Sequence, residues 1–102
     1  MAIIVYTQKP QTLLDNIKKA IDNRTVDTWE YDKDGDFTHT PAQWKNKAWL
    51  RPSVSSGVLQ FDLIWPKGSQ QDKTIYGVYH GRFIEMLLTH FDAEFSSARA
   101  PK

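Results

Sequence analysis

Three patterns of apolar residues succeed one another along this chain, and each predicts a different kind of element. Ala2-Ile3-Ile4-Val5-Tyr6 is an unbroken apolar run rich in β-branched side chains, the composition of a buried strand. After Gln8-Lys9-Pro10 the rhythm changes. Leu13, Leu14, Ile17, Ala20 and Ile21 recur at helical intervals, with Asp15, Lys18, Lys19 and Asp22 on the other side. That spacing predicts an amphipathic helix of about three turns.

A third pattern, short apolar arms around polar turns, fills the middle of the chain. In "WEYDKDGDFTH", residues 29 to 39, Trp29 and Tyr31 form one arm and Phe37 and His39 the other, with Asp and Gly between. Both turn residues tolerate positive φ, and Asp can hydrogen-bond its own backbone, so a hairpin is predicted. The same aspartates invite a calcium reading. With Gly35 at the sixth position of an EF-hand loop, Glu30, Asp32, Asp34 and Asp36 fall on ligand positions. The last position, however, requires a bidentate glutamate and is occupied by Pro41, so no metal site is predicted. Thr40-Pro41-Ala42-Gln43 then reads as a capping box with proline at the first helical position, giving a short helical turn through Trp44 and Lys45.

"KAWLRPSV" and "GVLQFDLIW" flank Ser55-Ser56-Gly57 and predict a second hairpin. Leu59, Phe61, Leu63 and Trp65 share one face, with Gln60 and Asp62 on the other. Pro52 lacks an N–H, so its strand lies at an edge or pairs on one side only. "TIYGVY", residues 74 to 79, has strand composition, with Gly77 marking a bulge. A second helix is expected from near His80, deeply packed through Phe83, Ile84, Met86, Leu87, Leu88 and Phe91. The tail from Ala93 to Lys102 adds an optional short strand. The expected order is β-α-β-β-β-β-β-α in one domain spanning residues 1–102. This is an α+β fold, a mostly antiparallel β-sheet with two α-helices packed on one face.

Composition narrows the function classes. Thirteen Lys and Arg against twelve Asp and Glu leave a net charge of +1, so no basic field argues for nucleic acid or an acidic membrane. No cysteine is present, which removes disulfides, thiol nucleophiles and cysteine metal sites. The apolar run at the N-terminus has no basic flank and is too short to span a bilayer, so a cytoplasmic protein is the expectation.

The candidate chemistry is sparse. His39, His80 and His90 are the three histidines, and none stands in a metal-binding spacing. No glycine-rich phosphate loop and no G-x-S-x-G nucleophile elbow occurs, so no catalytic residue and no cofactor are implied. "YHGRF" is the richest cluster. At a strand-to-helix junction the first N–H groups are free, and His80, Gly81 and Arg82, joined by His39, would recognise an anion there. Trp29, Trp44 and Trp49 with Arg51 are the alternative resource, as anchors for a protein partner. Stacking of these aromatics on single-stranded nucleic acid is disfavoured by the neutral charge.

"TWEYDKDGDFTHTPAQW", "KAWLRPSV" and "YHGRFIEMLLTHF" together resemble a family of short bacterial proteins of unknown function, over about residues 27 to 98. The resemblance implies a bacterial, single-domain protein and carries over no activity or site residue. The leading expectation is a small binding or adaptor domain acting through aromatic and sheet-edge surfaces, with weak homodimerisation through an edge. The alternative is a small-ligand (anion) binding domain or an enzyme using His80 and Arg82. An exposed set of tryptophans would favour the first, and a concave polar cleft the second.

Overall fold

The computed structural model describes residues 1–101; Lys102, the end of the tail considered above, lies outside them. The order is β1 (Ala2–Tyr6), α1 (Pro10–Asp22), β2 (Trp29–Tyr31), β3 (Phe37–His39), β4 (Trp49–Ser55), β5 (Val58–Ile64), α2 (Lys73–Phe91), a 3₁₀ turn (Asp92–Glu94) and β6 (Ser97–Arg99). The strands form one six-stranded antiparallel sheet in the order β2-β3-β4-β5-β1-β6. The protein is therefore α+β. No helix among the described residues is long and apolar enough to cross a membrane.

Register explains which residues meet. Ile3 pairs with Phe61, Val5 with Leu59 and Leu50 with Leu63, so these side chains share one face, and all are buried. Their alternates Arg51, Ser53 and Asp62 are exposed. Leu13, Leu14, Ile17 and Ala20 from α1, with Tyr79, Phe83, Met86 and Leu87 from α2, complete the same core cluster. Phe83 is its aromatic centre. Its ring lies 4.5 Å from Phe61, 5.0 Å from Trp29 and 6.0 Å from Phe37, all tilted or edge-on. Such geometries add about 0.5–1.5 kcal/mol per pair beyond the burial itself.

Both expected hairpins are present. Between β2 and β3 the Asp32 carboxylate accepts from the Asp34 and Asp36 N–H groups, and Gly35 adopts a φ of +82° that a side chain would resist. The expected turn after Thr40 is also formed, with the Trp44 and Lys45 N–H groups donating to the Pro41 carbonyl. The Thr40 hydroxyl, however, donates to the Asp27 carbonyl, at 3.2 Å, instead of capping that turn. Pro52 pairs with Phe61 of β5, while β3 meets β4 only at Phe37 and Leu50. The proline is thus paired on one side. The short C-terminal strand exists as β6, antiparallel to β1.

One element is a correction. Residues 74 to 79 are not a strand; they are the first turns of α2, and the expected fifth strand after α1 does not exist. Asp72 caps the helix, its carboxylate accepting from the Thr74 and Ile75 N–H groups at 2.8 and 3.1 Å. Tyr76, Tyr79, His80, Phe83 and Leu87 then follow at helical spacing, and burial of that stripe overrides the strand-like composition. Gly77 marks no bulge. It is a helix-interior glycine where an added Cβ would meet nothing within 4 Å. Nor is the whole apolar stripe packed, since Leu88 is 53% exposed.

Candidate functional site: a polar cleft between β3 and α2

The site is assembled from the end of β3, the polar side of α2 and the two loops beside them. His39 closes β3 opposite Trp29, with ring centroids 4.5 Å apart, and is 5% exposed. Its Nδ1 lies 2.7 Å from the Thr28 carbonyl oxygen. A carbonyl only accepts, so Nδ1 carries the proton and Nε2 holds the lone pair. Burial lowers the pKa of His39, and the nearby Arg82 charge adds to this. The Thr28 carbonyl and the Glu85 carboxylate oppose the shift. The imidazole is accordingly neutral at pH 7, with one tautomer fixed.

Facing it, Arg82, Glu85, Met86 and Thr89 recur at three- and four-residue intervals, which places them on one side of α2. Arg82 donates through Nη1 to both Glu85 carboxylate oxygens, at 3.2 and 3.1 Å, leaving Nη2 and Nε without a protein partner among the described residues. Thr89 donates to the Glu85 carbonyl at 2.8 Å. Asp27, Thr28, Gln43 and Trp44 supply the loop wall, and His90 the far rim. Together these residues line an open cleft of about 410 Å³.

Tyr79 holds the wall in place. Its hydroxyl, fully buried, donates to the Trp44 carbonyl and lies 2.9 Å from the Thr38 hydroxyl, with the His39 N–H at 3.4 Å. One helix side chain thus ties the end of β3 to the turn that carries Trp44.

The residues singled out from sequence are divided by this geometry. His39 and Arg82 come together in the cleft. His80 does not join them, and the premise that grouped it with Gly81 and Arg82 is overturned. All three sit in the interior of α2, so their N–H groups are spent in the helix and its free N-terminus is capped by Asp72. His80 is 4% exposed, stacks 4.1 Å from Tyr76 and directs Nδ1 to the Tyr76 carbonyl at 2.8 Å. Its Nε2 is buried without a partner, and burial lowers its pKa. Gly81 is exposed, and a Cβ there would touch nothing within 4 Å.

The aromatic surface is also smaller than expected. Trp29 is 2% exposed and belongs to the core, while Trp44, Trp49 and Trp65 are half-buried. Arg51 is engaged by Asp36 through two hydrogen bonds, 3.0 and 2.8 Å, and that carboxylate raises its pKa.

Asp27, Glu85, His90 and Tyr79 were not among the residues chosen from sequence. The spacing of Arg82, Glu85 and Thr89 was readable once the helix was known; the approach of Asp27 was not, because it depends on the β2–β3 register. A larger cavity, about 760 Å³, opens beside the start of α1. Its buried polar group Thr7 is satisfied, donating to the Glu94 carbonyl at 2.7 Å and accepting from the Lys9 N–H at 3.3 Å. Among the described residues no cluster of three His, Asp or Glu side chains is placed to hold a metal ion.

Comparison with protein-family models, with curated proteins and with solved structures gives no match. The functional reading therefore rests on the geometry of the chain itself.

Proposed function

We propose that the protein is a small-ligand-binding domain whose ligand occupies the cleft between β3 and α2. The observation that carries this is His39, an imidazole nineteen-twentieths buried that lines the cleft, with Nδ1 tethered and Nε2 free of a protein partner among the described residues. The ring sits within the field of Arg82 and Glu85. A buried neutral histidine with a fixed tautomer is a preorganised acceptor, and preorganised polar groups in a concave site are what orient small ligands. The alternative, docking of a protein through tryptophans, is weakened because none of the four tryptophans is exposed.

The test is a backbone amide chemical-shift screen of the full chain against a fragment collection. Ligands are expected to move the amides of Thr28, His39 and residues 82 to 90 first. Shifts confined to the outer edges of β2 or β6 would refute the cleft and restore the docking reading.

A further inference from the structure

We infer that the cleft selects a ligand carrying a primary ammonium group, an inference that rests on the small-ligand reading above. The argument is an inventory of unspent hydrogen-bonding capacity. The Asp27 carboxylate has no protein partner among the described residues, because only its backbone carbonyl is engaged, by Thr40. Glu85 receives a single Arg82 nitrogen and keeps lone pairs free on both oxygens. His39 offers Nε2 as an acceptor, and unlike the sealed Nε2 of His80 this atom is not cut off from solvent. Trp44 adds a half-buried aromatic ring to the wall, a surface that attracts cations.

Acceptors therefore predominate. Two carboxylates, of Asp27 and Glu85, line the cleft with one guanidinium, and that guanidinium is already paired with Glu85. An anion entering here would be repelled by the Asp27 and Glu85 carboxylates that line the cleft with Arg82, which argues against the anion chemistry expected from the sequence. A primary ammonium matches instead. It brings three N–H donors and no acceptor, which suits three acceptors of different type lining one cleft. The remaining Arg82 donors, Nη2 and Nε, would accommodate a carboxylate carried on the same ligand. The shared chemistry is the ammonium; its source is either a free amino acid or amine, or the side chain of a lysine on another protein.

The experiment titrates n-butylammonium, glycine, Nα-acetyl-lysine amide, acetate, phosphate and glycerol into the isotopically labelled full chain at matched ionic strength. Cleft amides are followed by chemical shift. n-Butylammonium is expected to bind with a dissociation constant on the order of millimolar. Asp27→Asn, which keeps the shape and removes an unpartnered charge, should weaken it at least about threefold. Arg82→Gln gives the decisive sign: it should strengthen n-butylammonium, because Glu85 is released and a repelling charge is gone. Glycine stronger than n-butylammonium, with that advantage lost in Arg82→Gln, assigns a free amino acid. Nα-acetyl-lysine amide equal to n-butylammonium assigns a lysine side chain. If acetate, phosphate or glycerol is the probe that moves the cleft, and an anion's effect vanishes in Arg82→Gln, the ammonium inference is overturned while the cleft survives as a ligand site. If no probe and no fragment moves those amides, both fail.

Discussion

Replacing Tyr79 by Phe removes one oxygen atom and should cost far more than the average hydroxyl. The ring is fully buried, so the phenyl group keeps its packing against Trp29, and only the hydrogen bonds change. Three groups lose a partner. The Trp44 carbonyl retains a bond from the Lys47 N–H at 3.2 Å, and the Thr38 hydroxyl retains the Ala48 carbonyl and the Asn46 N–H. The His39 N–H has no substitute and would be left unpaired in a residue that is 5% exposed. One hydrogen bond of ordinary net worth and one orphaned buried donor together give about 2–3 kcal/mol. For a chain of this size that lowers Tm by roughly 10 °C or more. Urea denaturation followed by both tryptophan fluorescence and far-ultraviolet circular dichroism measures it. A double-mutant cycle with Thr38→Val should show coupling, since the two hydroxyls are 2.9 Å apart. A loss below about 0.5 kcal/mol would show that the hydroxyl is not the tie between α2 and the Trp44 turn.

Phe83→Ala should destabilise by about 3–5 kcal/mol, read by the same denaturation, because the cavity opens among three other aromatic rings; a cost under about 1 kcal/mol would contradict its central place. Acid should destabilise the fold through His39 and His80, both of which have folded pKa values below the ordinary value of about 6.5. Below that value the unfolded chain binds more protons, so stability is complete above about pH 6.5 and declines as the pH falls towards the folded values. His80→Leu should flatten part of that slope, and a stability curve without slope from about pH 7 to 5 would refute it. Association through an edge should be weak, since β2 and β6 offer only three residues each, and light scattering that gives a monomer mass at high concentration would rule it out.

What was legible in the sequence was local. The Asp-Gly turn, the hairpin around Ser56-Gly57 and the stripe from Leu13 to Ile21 each carry their own signal within a dozen residues, and each is present. Thr74 to Tyr79 carries the opposite signal, because its β-branched and aromatic residues mimic a strand and Gly77 mimics a bulge where the helix merely tolerates it at about 1 kcal/mol. Asp72, two and three residues before Thr74 and Ile75, is a helix cap of a type that sequence alone can carry. Strand order was never legible: β1 lies between β5 and β6, a placement set by long-range pairing. The cleft shares that obscurity, since Asp27, His39 and Glu85 are brought together by tertiary register.

The misread segment and the site are one problem. Had α2 begun at His80, Tyr79 would have ended a strand, and residues 80 to 82 would have presented free N–H groups to an anion. Because the helix starts two turns earlier, those N–H groups are consumed and Tyr79 becomes a helix side chain that reaches the Trp44 turn. Arg82 and Glu85 follow it by three and six residues, which sets them about one and nearly two turns further along, in the cleft that His39 also lines. His80 is rotated by about 100° from Tyr79 and is carried away to the packing with Tyr76. The shift from strand to helix thus removes a free helix terminus at His80 and sets the Arg82–Glu85 pair in the cleft that His39 lines. The sign of the charge proposed for the ligand follows from where a single helix begins.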